Sequence, residues 1–287
     1  MTNLRRLLPA FFMLLYVNTL AQQKSVDFYL TPSISEQLLK TSGSFIKDFL
    51  EKETGLLIQL KIPKSYDELI DDFGSRSSAC FAFMSSQSYV VANTRHRAVV
   101  KLRTVRFGRS VYQGMIVTHS ASGIKSLDDL QGKIIGFTDE LSTSGYLYPK
   151  KLLEERNIKV SKEVFLKKHD EVMKQVYEKK VDAGAAFYSA PSATGELRDA
   201  RSRILEKYPD ADKKLVILAK TDPIPNDPVV FSHNFDPEQA TKLCLALMKL
   251  SKDEKGKRVL TELYGIDSFV KASNNDYNSL RNVMTAH

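Results

Sequence analysis

Three consecutive hydroxyl side chains, Ser142, Thr143 and Ser144, stand directly before Gly145 in this 287-residue chain. They follow an apolar segment, Lys133 to Thr138, that reads as a strand, and they precede a segment, Gly145 to Arg156, that reads as a helix. A helix that starts there offers an anion unpaired backbone N–H groups, the positive end of the helix dipole and several hydroxyl donors at one point. The backbone N–H groups of Ser144 and Gly145 are expected to act as co-donors, with Gly145 leaving the approach free of a side chain. The plainer alternative is that Ser144 only caps the helix.

Three further residues fall where strands hand over to helices or loops. His169 opens a segment that follows a strand, and it is either a ligand donor or a surface capping residue. Tyr66 sits at a loop-to-helix junction, where a phenol can donate to an oxyanion or simply pack. Asp227 lies between Pro225 and Pro228 and is either a ligand-facing carboxylate or a loop cap.

Alternation of short strands and amphipathic helices positions these groups. Strands are expected at Val26 to Leu30, Leu56 to Ile62, Ala79 to Phe83, Met115 to Thr118, Val164 to Leu166 and Asp182 to Phe187. Helices are expected at Ser42 to Thr54, Ser65 to Phe73, Glu171 to Lys179, Pro237 to Leu250, Asp253 to Tyr264 and Asn275 to Met284. The charged stretch Ser192 to Lys214 reads as a helix with a solvated face. The pattern is that of an α/β chain with largely parallel sheets, whose ligands bind at the carboxyl ends of the strands.

Ser126-Leu127-Asp128-Asp129-Leu130-Gln131-Gly132-Lys133, followed by the strand and the Ser-Thr-Ser-Gly turn, resembles the phosphate/phosphite/phosphonate substrate-binding proteins of bacterial ABC transporters. Val181-Asp182-Ala183-Gly184-Ala185 and Ile224-Pro225-Asn226-Asp227-Pro228 are similar to two further motifs of that family, and the likeness runs from about Asp27 to about Phe269. The resemblance implies the two-lobed type 2 periplasmic-binding-protein fold, with two mixed or parallel sheets flanked by helices and a ligand cleft between the lobes. It implies a first lobe from 22–108 and 223–287 and a second from 109–222. It further implies a binding protein that delivers a small phosphorus oxyanion to a membrane permease and uses no cofactor. Ser142, Thr143, Ser144, Gly145, His169, Tyr66, Asp227 and Met84 are the expected ligand contacts. The chain departs from relatives that bind aminoalkylphosphonates at Met84, where they carry Tyr, and at Tyr188 or Ser189, where they carry Glu. Loss of that acid disfavours a zwitterionic ligand and favours phosphate, phosphite or a small uncharged alkylphosphonate.

Bulk properties fit export. Arg5 and Arg6 precede an apolar run, Leu7 to Leu20, and Ala21, which reads as a signal peptide over 1–21; a membrane anchor is the rival. No Cys follows the run, which argues against lipid attachment there. Loss of the leader takes the formal charge from +8 to +6, spread along the chain. Without a basic stripe interleaved with aromatics, nucleic acid is not an expected partner. Cys80 and Cys244 are expected to be free thiols. No nucleophile elbow, Walker loop or metal-ligand spacing appears, so an enzyme is the least favoured reading. The expected state is a monomer, and a sensory domain presenting its ligand to a receptor or kinase is the alternative to transport.

Overall fold

The computed structural model describes residues 25–75 and 78–285; the expected signal peptide lies outside them. The chain begins β1 (Val26–Leu30), α1 (Glu36–Thr54), β2 (Ile58–Lys61), α2 (Tyr66–Gly74), β3 (Cys80–Phe83), α3 (Ser86–His96) and β4 (Val99–Arg106). It continues through β5 (Val111–His119), β6 (Ile134–Phe137), α4 (Tyr148–Glu155), β7 (Lys162–Phe165), α5 (His169–Tyr177), β8 (Ala183–Tyr188), α6 (Ala211–Lys214) and β9 (Leu215–Lys220). The final elements are β10 (Ile224–Pro225), β11 (Pro228–Phe231), α7 (Pro237–Leu250), α8 (Glu254–Tyr264), β12 (Ile266–Lys271) and α9 (Asn278–Thr285).

These strands form two sheets, ordered β12-β4-β11-β3-β1-β2 and β10-β5-β8-β6-β7, with β9 also paired to β5. The sheets are mixed, not largely parallel. Parallel pairing is confined to β2-β1-β3 and β7-β6-β8, where helices make the crossovers. β11 runs against β3 and β4, and β5 runs against β8, β9 and β10. The antiparallel members belong to the stretches where the chain passes from one sheet to the other. A strand that enters from that side meets the carboxyl ends of β1 and β3 first, so it must run opposite to them.

The first sheet is the more apolar. All five residues of β1 are buried, as expected for a strand covered on both faces. Phe28 stacks on Phe81 with ring centroids 4.7 Å apart, and Phe81 stacks in turn on Phe231 at 5.8 Å. α1 lays Leu39, Ile46 and Leu50 over this layer and packs against α7 and α8. It begins at Glu36, not Ser42, because the Ser35 hydroxyl accepts the Leu38 N–H at 3.4 Å and caps the first turn. In the second sheet, α5 covers β8 with Val172 and Val176.

The stretch Ser192 to Lys214 is not a single solvated helix. It contains a short 3-10 turn, Ala200–Ile204, and the four-residue α6. Asp199 is fully buried, receives the Arg201 guanidinium through Nε at 3.0 Å and Nη2 at 2.8 Å, and also caps the 3-10 turn. An internal ion pair has turned the charged sequence inward. Both cysteines are free, and burial pushes the Cys80 thiol up to about 12 and that of Cys244 to about 11. Among the described residues no helix is long and apolar enough to cross a membrane.

Ile46 is fully buried at the centre of the α1 face. Ile46→Ala is expected to lower unfolding stability by about 2–5 kcal/mol in a urea titration. A loss below about 1 kcal/mol would contradict the assigned core.

Candidate functional site

Between the two sheets, at the carboxyl ends of β1, β3 and β6, lies a chamber of about 50 Å³. A water needs roughly 10–15 Å³ by this measure, so the chamber admits a group of a few heavy atoms. Of the sequence candidates, Tyr66, Met84, Ser142, Thr143, Ser144, His169 and Asp227 all line it. Gly145 does not.

The hydroxyl turn is a π-helical turn, Thr143–Leu147, followed by α4, and not the start of one continuous α-helix. Pro149 has no N–H to give to the carbonyl of Gly145 four residues earlier. That carbonyl instead accepts the Thr138 N–H at 3.2 Å, which ties the turn to the end of β6. The glycine is required by the same contact, since a Cβ on it would come within 2.0 Å of Thr138 Oγ1. Its N–H donates to Ser142 Oγ at 3.1 Å. The expectation that Gly145 opens a path to the ligand and donates to it is therefore corrected: close packing of the turn on β6 demands the glycine.

Each hydroxyl is oriented by a neighbour. Thr143 Oγ1 accepts the Gln87 N–H at 2.9 Å, so its own hydrogen remains free to donate. Ser142 meets the phenol of Tyr66, and Ser144 meets the phenol of Tyr112. Tyr66 opens α2 after Ser65, whose hydroxyl caps the Glu68 N–H at 3.1 Å. Burial pushes the phenols of Tyr66, Tyr112 and Tyr264 well above the usual tyrosine range, and nearby acids add to this, Asp139 at Tyr66 and Asp227 at the other two. All three stay protonated: the Tyr264 hydroxyl donates to the Thr31 carbonyl at 2.7 Å, that of Tyr112 faces the Asp227 carboxylate at 3.5 Å, and Tyr66 can donate into the chamber.

His169 is buried, its backbone N–H donates to the Ser33 carbonyl at 3.1 Å, and its ring stands edge-on to Phe187 at 5.0 Å. Among the described residues its Nδ1 has no hydrogen-bond partner. Burial first, and then the charges of Arg106 and Arg203, lower its pKa to about 3, so the ring is neutral at pH 7.

Sequence reasoning missed the two guanidinium groups that line the chamber. Arg106 ends β4, buried, and forms an ion pair with Asp227 while its guanidinium lies 4.9 Å from the Tyr112 ring centroid. A signal for it exists. Val100, Leu102, Thr104 and Arg106 alternate as the inward positions of β4, so strand parity alone places an arginine inside. Arg203 follows Asp199 in the charged stretch and donates to the carbonyls of Glu262 at 2.7 Å and Leu263 at 3.0 Å. Burial, then Arg106, lowers its pKa.

Asp227 is less free than its place in the sequence implies. Its carboxylate is paired with Arg106 and lies 3.5 Å from the Tyr112 hydroxyl. Burial raises its pKa and the Arg106 charge opposes that rise. Its own carbonyl accepts from both the backbone N–H and the hydroxyl of Thr104, each at 3.0 Å. Tyr188 and Ser189 line a separate outer cavity, while Phe187 faces the chamber.

The walls of the chamber are tied together across the gap. Ser85 Oγ donates to the Leu141 carbonyl at 2.9 Å and Gln87 Nε2 to that of Glu140 at 3.1 Å, beside the Thr143, His169 and Arg203 bonds. Two mixed sheets clasping a small donor-lined chamber at their strand ends define a solute-binding protein of the type 2 periplasmic-binding fold.

Comparison with known proteins narrows the class. Residues 28–277 match the family model described as ABC transporter, phosphonate, periplasmic substrate-binding protein, and the chain belongs to that family, whose members bind and do not transform their ligands. It is 27% identical over 252 residues to the phosphonates-binding periplasmic protein of Escherichia coli strain K12, covering 84% of this chain and 71% of the relative. It is 28% identical over 170 residues to the phosphate-import protein PhnD of Mycolicibacterium smegmatis, covering 54% of this chain and 53% of the relative. Its fold is similar to that of a binding protein component of an ABC phosphonate transporter from Pseudomonas aeruginosa, with TM-score 0.80, 21% identity and coverage of 91% and 86%. It is also similar to PhnD1 of Prochlorococcus marinus in complex with methylphosphonate, with TM-score 0.77, 17% identity and coverage of 92% and 98%.

The His169 shift has a measurable consequence. The unfolded imidazole titrates near its ordinary value of 6.5 and the folded one near 3, so between these values the unfolded chain holds the extra proton. Stability is thus expected to fall as pH drops from 6.5 towards 3, with this residue contributing up to about 1.4 kcal/mol per pH unit. His169→Gln should flatten the slope of unfolding free energy against pH in that window. An unchanged slope would contradict a buried neutral imidazole.

Proposed function

We propose that this chain captures a small phosphorus oxyanion, namely phosphite, phosphate or a small alkylphosphonate, in the inter-sheet chamber and delivers it to the permease of an ABC transporter. The observation that carries the reading is the composition of the chamber wall: three hydroxyls on one turn, buried protonated phenols, a neutral imidazole with an unpartnered nitrogen and two guanidinium groups. In the proposed pose Ser142, Thr143, Ser144 and Tyr66 donate to the oxygens, His169 donates through one ring nitrogen, and Met84 packs against the ligand's apolar side. Asp227 acts through Arg106, holding the guanidinium in place.

The chamber volume of about 50 Å³ suits a single phosphorus group with at most a short substituent. An ammonium-bearing ligand is disfavoured because the carboxylate in the wall, that of Asp227, is already paired with Arg106. Burying a second cation beside that pair, without a counter-charge, is costly. Binding of phosphonates by the Escherichia coli relative and import of phosphate by the Mycolicibacterium one, as their names state, support this ligand class. The proposed protein is periplasmic after loss of 1–21, works as a monomer, and closes a lobe of 22–108 and 223–287 on a lobe of 109–222.

Calorimetry on protein freed of co-purified ligand tests the reading. Phosphite, phosphate or methylphosphonate should bind more tightly than aminoethylphosphonate, and no heat with any of the four would refute it. Ser144→Ala should weaken the best ligand by about ten-fold or more, because hydrogen bonds to a charged group are worth about 1.5–3 kcal/mol each. Charge reversal at exposed Lys52 and Lys252 should change affinity by less than about two-fold. Equal losses from both changes would show that diffuse charge, not the turn, holds the anion.

A further inference from the structure

A second and larger cavity, about 360 Å³, lies on the far side of Arg106 and Tyr112, and these two side chains line both spaces. Its walls are cationic and aromatic. Arg106, Arg109 and Arg198 line it together with Phe107, Tyr112 and Tyr188, and among the described residues no acidic side chain does. The Arg198 guanidinium lies 4.4 Å from the Phe107 ring centroid, and the Lys220 ammonium lies 3.9 Å from that of Tyr188. Arg106 and Arg109 are held at fixed spacing by a tight hairpin. Phe107 and Gly108 both take positive φ, 50° and 71°, and the backbones of Arg106 and Arg109 exchange two hydrogen bonds of 2.9 Å.

We propose that this outer cavity is a second anion subsite, and that the ligand is a phosphonate with a terminal carboxylate. The inference rests on the proposed function and deepens it. The phosphonate head occupies the inner chamber, a short methylene arm passes Arg106 and Tyr112, and the carboxylate reaches Arg109 and Arg198. Asp227 already occupies one face of Arg106, so an amine at the end of the arm meets three guanidinium groups and no free carboxylate. A carboxylate meets charge-assisted donors in a preformed cradle. Tyr188 and Ser189 add a neutral rim beside the arginines.

Calorimetry with the full-length protein and four probes, methylphosphonate, propylphosphonate, phosphonopropionate and aminoethylphosphonate, tests this. Phosphonopropionate should bind at least about ten-fold more tightly than propylphosphonate, which has a tail of similar length and no charge. The Arg109→Gln/Arg198→Gln double variant should cut that advantage to about three-fold or less and leave methylphosphonate affinity within about two-fold of wild type, which also reports that the variant is folded. Propylphosphonate binding as tightly as phosphonopropionate, or an advantage that survives in the double variant, would overturn the outer subsite while leaving the proposed function intact. Failure of every probe, methylphosphonate included, would overturn both.

Discussion

Buried positive charge is the constraint around which the chamber is built. Two guanidinium groups, of Arg106 and Arg203, stand in a space of about 50 Å³ with, among the described residues, a single carboxylate in the wall, that of Asp227. A buried charge must be paired or suppressed. Arg106 is paired by Asp227, and Arg203 is held by two main-chain carbonyls. The one remaining group able to add positive charge, His169, is suppressed by burial and by the arginines themselves. What is left over is donor capacity without acceptors, which is the chemistry of an anion receptor.

The fold supplies that arrangement through shared hydrogen bonds. Thr143 lines the chamber and also accepts from Gln87 at the start of α3, so the group proposed to hold the ligand is also one that joins the two walls. His169 has the same double position through its backbone bond to Ser33. The residues proposed to hold the ligand are thus the ones that join the walls, and donors aligned in advance lose little on contact with an anion. Asn226 anchors the strand exchange that carries Asp227, donating to the carbonyls of Thr104 at 2.9 Å and Arg109 at 2.7 Å.

The alternation of strands and helices, the placement of the hydroxyl turn and the candidates around it were legible in the sequence, because strand ends and helix starts leave local signatures. The mixed character of the sheets was not, since antiparallel pairing there comes from strands that cross between sheets far apart in sequence. Gly145 was legible as important but not for its reason: its contact is with Thr138, and only the folded turn brings the two together. Arg203 was hidden by composition, because a run of charges reads as solvated until a buried partner such as Asp199 shows that it turns inward. Arg106 was within reach through the parity of β4, had that strand been assigned. Its pairing with Asp227, 121 residues away, was not.

A crystal structure of the protein with methylphosphonate tests the central claim most directly. The account predicts the phosphonate oxygens within hydrogen-bond distance of the Ser142 to Ser144 hydroxyls, Tyr66 and a ring nitrogen of His169, with the Arg106 to Asp227 ion pair intact. A phosphonate bound outside the chamber, or an Asp227 carboxylate released from Arg106 to face the ligand, would contradict it.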